Sequence, residues 1–189
     1  MSSPAPDSAS TKVKEVLDSG QARFDLSRPP SRAEAGMPDG KTDVTYQRAD
    51  HTPFQVRVAL PGGKELSTEA RLVTFDSLAQ PDPRNAAPSA LDIHYYAPSL
   101  EAGRDHLLGV ASQFGFDTKP INEWYDESKA QRPTQAPPDV RTPWLTTTLG
   151  YLTFEVQGGY EPPVDRPESD QTVVHYALAW GPGPRPGTT

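Results

Sequence analysis

The sequence predicts an α+β domain: one mostly antiparallel sheet of about five to six strands, with one long helix and one or two short ones on one face. Three observations carry that prediction. Apolar residues alternate with polar ones in several separate runs, the pattern of half-buried strands. Three other runs space their apolar residues three and four apart, as helices do. Long stretches rich in proline separate the periodic segments, so the chain reads as a core with extended loops.

The elements follow in order. Residues 1–10 carry nothing apolar larger than alanine after Met1 and read as a flexible tether. A short helix is expected from Ser10, capped by Ser10 or Thr11, with Val13, Val16 and Leu17 on one face and Gly20 as its stop. Phe24 and Leu26 then pin the chain to the core, and 28–40 reads as loop. Strands are predicted over 42–47, over 54–60 with Phe54, Val56, Val58 and Leu60 on one face, and over 69–75. The last of these runs back antiparallel after the Pro61-Gly62-Gly63 turn.

After a loop at 80–89, the strand 91–96 sets Leu91, Ile93 and Tyr95 on one face and Asp92, His94 and Tyr96 on the other. Ser99 caps the clearest helix, whose Leu100, Leu107, Leu108, Ala111 and Phe114 follow helical spacing, and Gly115 ends it. A shorter helix over 120–129 turns Ile121, Trp124 and Tyr125 inward, and 131–143 is a loop. Strands over 149–157 (Leu152, Phe154, Val156 inward) and 172–180 (Val174, Tyr176, Leu178, Trp180 inward) close the fold. The organisation is thus a tether at 1–10, one domain at 11–180 and a disordered Pro/Gly tail at 181–189. A faint αββ duplication (11–78 and 91–180) is suggested by Phe24-Asp25 and Phe116-Asp117 after each helix. An F-x-V strand followed by a Gly-Gly pair also occurs in each half.

Composition narrows the function classes. The 189 residues carry a net charge of −7, which disfavours a general nucleic-acid binder, since such proteins displace phosphate counterions with Lys and Arg. The same balance disfavours a polybasic membrane-surface protein, and no stretch approaches the ~18 consecutive apolar residues of a spanning helix. With no cysteine, there are no disulfides, thiolate metal sites or cysteine nucleophiles. Nucleophile elbows, zinc-protease helices, phosphate loops, dinucleotide fingerprints and calcium loops are all missing, and the Gly62-Gly63 and Gly158-Gly159 pairs read as turns. No cofactor is implied.

Strand alternation offers one constellation. Asp92, His94, Glu155 and His175 fall on the outward positions of three strands and meet on one face if those strands are neighbours. Two imidazoles with carboxylates suit a divalent metal, or a general base oriented by an acid. The same positions also suit an ordinary solvated face, and that plainer reading is preferred. His51 and His106 read as surface histidines. Trp144 and Tyr160 border long loops and are the candidates for loop-borne ligand binding, because long connections on a rigid sheet commonly carry binding surfaces.

The polar Ser/Pro/Ala/Asp lead, the cysteine-free middle and the Pro/Gly tail, together with the excess of Ala, Pro, Gly and Arg, resemble the layout of a mature exported protein of a high-GC bacterium. Small actinobacterial lipoproteins are the most similar class. That resemblance implies an extracellular or cell-envelope location, with a lipid anchor upstream of Ser2 and Met1 replacing the removed leader; a native Met1 would instead mean the cytoplasm. The leading expectation is a non-enzymatic binding or accessory protein for a protein, glycan or lipid. The alternatives are an acidic inhibitor or immunity-type protein for a basic partner, and a metal-assisted hydrolase.

Overall fold

A computed structural model describes residues 8–78, 82–130, 140–160 and 172–181 and gives an α+β protein with mostly antiparallel sheets. In chain order its elements are α1 (Ser8–Ser19), β1 (Gln21–Asp25), β2 (Asp43–Tyr46), β3 (Phe54–Ala59), β4 (Glu65–Ala70), β5 (Leu72–Asp76) and β6 (Ala90–Ala97). There follow α2 (Leu100–Phe114), α3 (Lys119–Ala130), β7 (Val140–Arg141), β8 (Leu145–Leu149), β9 (Leu152–Tyr160) and β10 (Thr172–Ala179). The strands divide between two sheets: a three-stranded one in the order β1-β3-β4, and a seven-stranded one in the order β2-β5-β6-β10-β9-β7 with β8 also paired to β9. The expected tether and tail fall largely outside the described residues, although residues 8–10 already belong to α1.

The described residues gather into two compact units. The first comprises residues up to Ile93, with Thr148–Thr153 and the stretch from Ala177 onward; the second comprises His94–Thr147 and Phe154–Tyr176.

In the first unit β1 pairs parallel with β3, and β3 pairs antiparallel with β4. β2 and β5 form a second antiparallel pair. Phe24, from β1, sets its ring edge-on to Tyr46 of β2 at 5.3 Å and to Phe75 of β5 at 4.9 Å, so aromatic packing joins the two sheets here. Tyr46 is fully buried, and its hydroxyl donates to the Ala35 carbonyl at 2.8 Å. Gly36, at φ +67°, leaves that hydroxyl its room: a Cβ there would lie 2.4 Å from it.

Three expectations are corrected in this unit and at the turn from β8 to β9. The segment carrying Phe24 is a strand, β1, rather than a pinned loop. The run over 69–75 is two strands, because the chain changes sheets at Arg71: β4 ends at Ala70 and β5 begins at Leu72. The strand expected over 149–157 begins only at Leu152, with Leu152, Phe154 and Val156 buried as expected, because Gly150 (φ +59°) and Tyr151 turn β8 into β9. Tyr151 therefore lies at a turn, where its hydroxyl donates to the Leu26 carbonyl at 2.8 Å.

In the second unit α2 packs on β9 and β10, and α3 packs against α2 and β7. Ser99 caps α2 by accepting from the Ala102 N–H, and Gly115, in the left-handed region, closes it by donating to the Ala111 carbonyl. Leu107, Val110, Ala111 and Phe114 form the buried stripe of α2, with Phe114 edge-on to Phe154 at 4.6 Å. Ile121 and Trp124 are buried in α3 as expected, together with Ser128, whereas Tyr125, expected inward, is only half-buried; the Trp124 indole N–H donates to the Val140 carbonyl at 3.0 Å.

Of the loop expected over 131–143, residues 131–139 lie outside the described residues and Val140–Arg141 form a strand, β7, paired to β9. Gly158-Gly159 is corrected too: the pair lies inside β9 rather than at a turn. A Cβ on Gly158 would come within 2.5 Å of Leu107, so the glycine is there for close helix-to-strand approach.

Candidate functional site

The second unit brings two of the predicted site residues directly together. His94 on β6 and His175 on β10 stand on neighbouring strands, both half-buried, with ring centroids 4.3 Å apart and planes tilted by 45°. Trp144, predicted separately from its place beside a loop, joins them: its ring meets that of His175 edge-on at 5.1 Å. The segment just before β8 supplies this tryptophan, half-buried, while Leu145 and Leu149 bury the ends of the strand that follows. The result is a row of three rings, Trp144, His175 and His94.

Glu155 and Asp92 are placed differently. Glu155 sits in β9, only 7% exposed, and its carboxylate accepts from the Thr146 hydroxyl at 3.0 Å. Asp92 belongs to the first unit, where its charge bears on Asp76. Burial, then the charges of Asp92 and Asp43, pushes the Asp76 carboxyl up to about 6. Tyr160 ends β9 opposite Val140 of β7, half-buried. Among the described residues no group of three or more His, Asp or Glu is arranged to hold a metal.

One histidine differs from its surface assignment. His106 is half-buried on α2, its ring lying over Tyr95 at 4.3 Å, and its Nε2 shares a hydrogen bond with the hydroxyl of fully buried Tyr176. Burial pulls its pKa down to about 4, so the ring is neutral near pH 7. The signal was available in the helix period, since 106 adjoins the buried stripe of Gly103, Leu107 and Val110. His51 is exposed at φ 56°, its Nδ1 paired with the Gln47 amide at 3.0 Å. Asp165, Glu168 and Asp170, whose spacing in the sequence reads as a solvated acidic loop rather than a calcium loop, lie outside the described residues.

The fold and this ring row define a class no finer than an α+β protein with an aromatic–imidazole cluster on one sheet. Comparison with protein-family models, curated proteins and solved structures finds no match. Among the described residues no helix is long and apolar enough to cross a membrane.

Proposed function

We propose that the protein is a non-enzymatic binding or accessory protein, exported or held at the cell envelope of a high-GC bacterium. The observation that supports this reading is the row of Trp144, His175 and His94. Aromatic side chains with a polar edge, partly exposed and set on or just beside sheet strands, suit ligand contact at low entropic cost. Glu155, the acid nearest in kind to a catalytic partner, is buried and engaged by Thr146, so its oxygen serves the local structure. The ligand class is a protein, glycan or lipid of the envelope.

Two measurements test the proposal. Intact mass and fractionation of the native protein from its source cells should show an acylated N-terminus upstream of Ser2 in the membrane fraction, or a secreted mature chain. A cytosolic chain starting at Met1 would defeat the envelope assignment. Binding of solubilised envelope glycans, lipids and proteins, followed by Trp emission, should saturate and be lost in Trp144→Ala.

A second reading, an inhibitor of a basic partner protein, is favoured by the net charge of −7, which would steer such a partner. An on-rate for one basic partner that falls steeply with salt would select it.

A further inference from the structure

We propose that His94 and His175 form a two-imidazole site for a divalent transition-metal ion, taking Cu2+ in preference to Ni2+ and Zn2+. The site is separate from any catalytic role and does not depend on the envelope reading.

The argument begins with spacing. Two imidazole nitrogens bound ~2.0–2.1 Å from one ion, at an angle between a right angle and tetrahedral, place their ring centroids about 4.5–5 Å apart. The observed separation is 4.3 Å, so a few tenths of an ångström of side-chain movement reach it. The 45° tilt matters equally. Parallel stacked rings keep their edges apart, whereas tilted rings converge along one side.

Backbone placement adds preorganisation. The two residues stand on adjacent hydrogen-bonded strands, so little chain entropy is lost in bringing the ligands together. Trp144 packs against the His175 ring edge and restricts its rotation. Both histidines are half-buried rather than enclosed, and waters would complete the ion's shell. Two nitrogens with water match the tetragonal preference of Cu2+ and Ni2+ better than the closed tetrahedral set of structural zinc. The order of affinity then follows the general rise toward Cu2+ across the first-row divalent ions.

The test uses the full chain without a polyhistidine tag, stripped of metal, and titrated with CuCl2, NiCl2 and ZnCl2. Calorimetry should show one Cu2+ bound per chain. Binding should be tighter than for Ni2+ or Zn2+, and weaker by about tenfold or more when the pH drops from about 7.5 to about 5.5. Cu2+ should quench part of the Trp emission, and Trp144→Phe should abolish most of that quenching while the calorimetric affinity stays. His94→Gln and His175→Gln should each weaken binding about tenfold or more, and His51→Gln should leave it unchanged. Electron paramagnetic resonance of the wild-type Cu2+ complex needs no variant, and should show coupling to two imidazole nitrogens. A spectrum with one nitrogen or none, an affinity unmoved by either substitution, or no saturable binding by the folded wild type would each overturn the proposal.

Discussion

Replacing Asp76 by Asn should make the protein more stable at neutral pH. Asp76 ends β5 directly opposite Asp43 of β2, and like charges facing across an antiparallel pair are unfavourable. Asp92 adds a third carboxylate in the same unit, and Asp76 is itself half-buried. Its backbone carbonyl is already engaged by the Ser89 N–H at 2.8 Å, and the side-chain change leaves that bond in place. Burial and these neighbours raise the carboxyl from 3.8 to about 6. Two pH units at ~1.4 kcal/mol each set a ceiling near 3 kcal/mol, and screening at a partly exposed site reduces this to roughly 1–2 kcal/mol.

The sign follows from proton counting. Between pH 3.8 and about 6 the folded chain holds this proton more firmly than the unfolded chain, so Asp76 makes stability fall as pH rises through that window. Above it the loss is complete. Urea unfolding of wild type and Asp76→Asn at intervals from about pH 4 to about pH 8 checks this. The variant should gain on the wild type across the window and keep roughly 1–2 kcal/mol, or about 2–8 °C in Tm, at neutral pH. Equal or lower stability at pH 7.5, with the difference flat from pH 4 to pH 6, would refute the reasoning.

Three further outcomes are expected. Gly103→Ala places a Cβ 2.3 Å from the Thr172 methyl, so it should cost about 1–3 kcal/mol in thermal unfolding, and Thr172→Ser in the same chain should recover much of that. Ser99→Ala removes the acceptor for the Ala102 N–H and should cost about 1 kcal/mol by urea unfolding. His106, with its pKa pulled down to about 4, should show ring NMR shifts that stay constant from pH 8 to about pH 5. Because its folded pKa is depressed, His106 removes stability as pH falls from about 6.5 toward 4. That trend opposes the Asp76 trend over an overlapping range, so the Asp76 effect must be read as the difference between variant and wild type.

What the sequence revealed tracks how local each signal is. The long helix was legible at both ends because Ser99 and Gly115 act within a single turn of chain. The strands 90–97 and 172–179 were legible because alternation is a property of the strand itself. The two missed breaks also left marks. Burial falls on Leu66, Thr68 and Ala70 and then on Val73 and Phe75, so the period of two slips by one residue at Arg71, where the chain leaves one sheet for the other. Thr68, 5% exposed, hid this by placing a polar residue on the buried face. At the other break, Gly150 stands between two alternating runs, LTTTL and LTFEV, at the first position of a two-residue turn. By contrast, the parallel pairing of β1 with β3 joins segments some thirty residues apart, and nothing in five residues of QARFD specifies a distant partner.

The candidate site shows the same division. Facing direction came from alternation, which put His94 and His175 on outward positions, but adjacency came from strand order, which no local pattern encodes. The order β6-β10-β9 is what turns two outward histidines into a ring pair and brings Trp144 to its edge. It also explains why Glu155 departs from the expected wet face. β8 pairs alongside β9, and Thr146 covers an acid that alternation alone would leave in water. A side chain's direction is therefore a one-strand property, whereas its chemistry depends on which strand comes next. Alternation gives the histidine pair only on the condition that their strands are neighbours, and the β6-β10 adjacency of the sheet meets that condition.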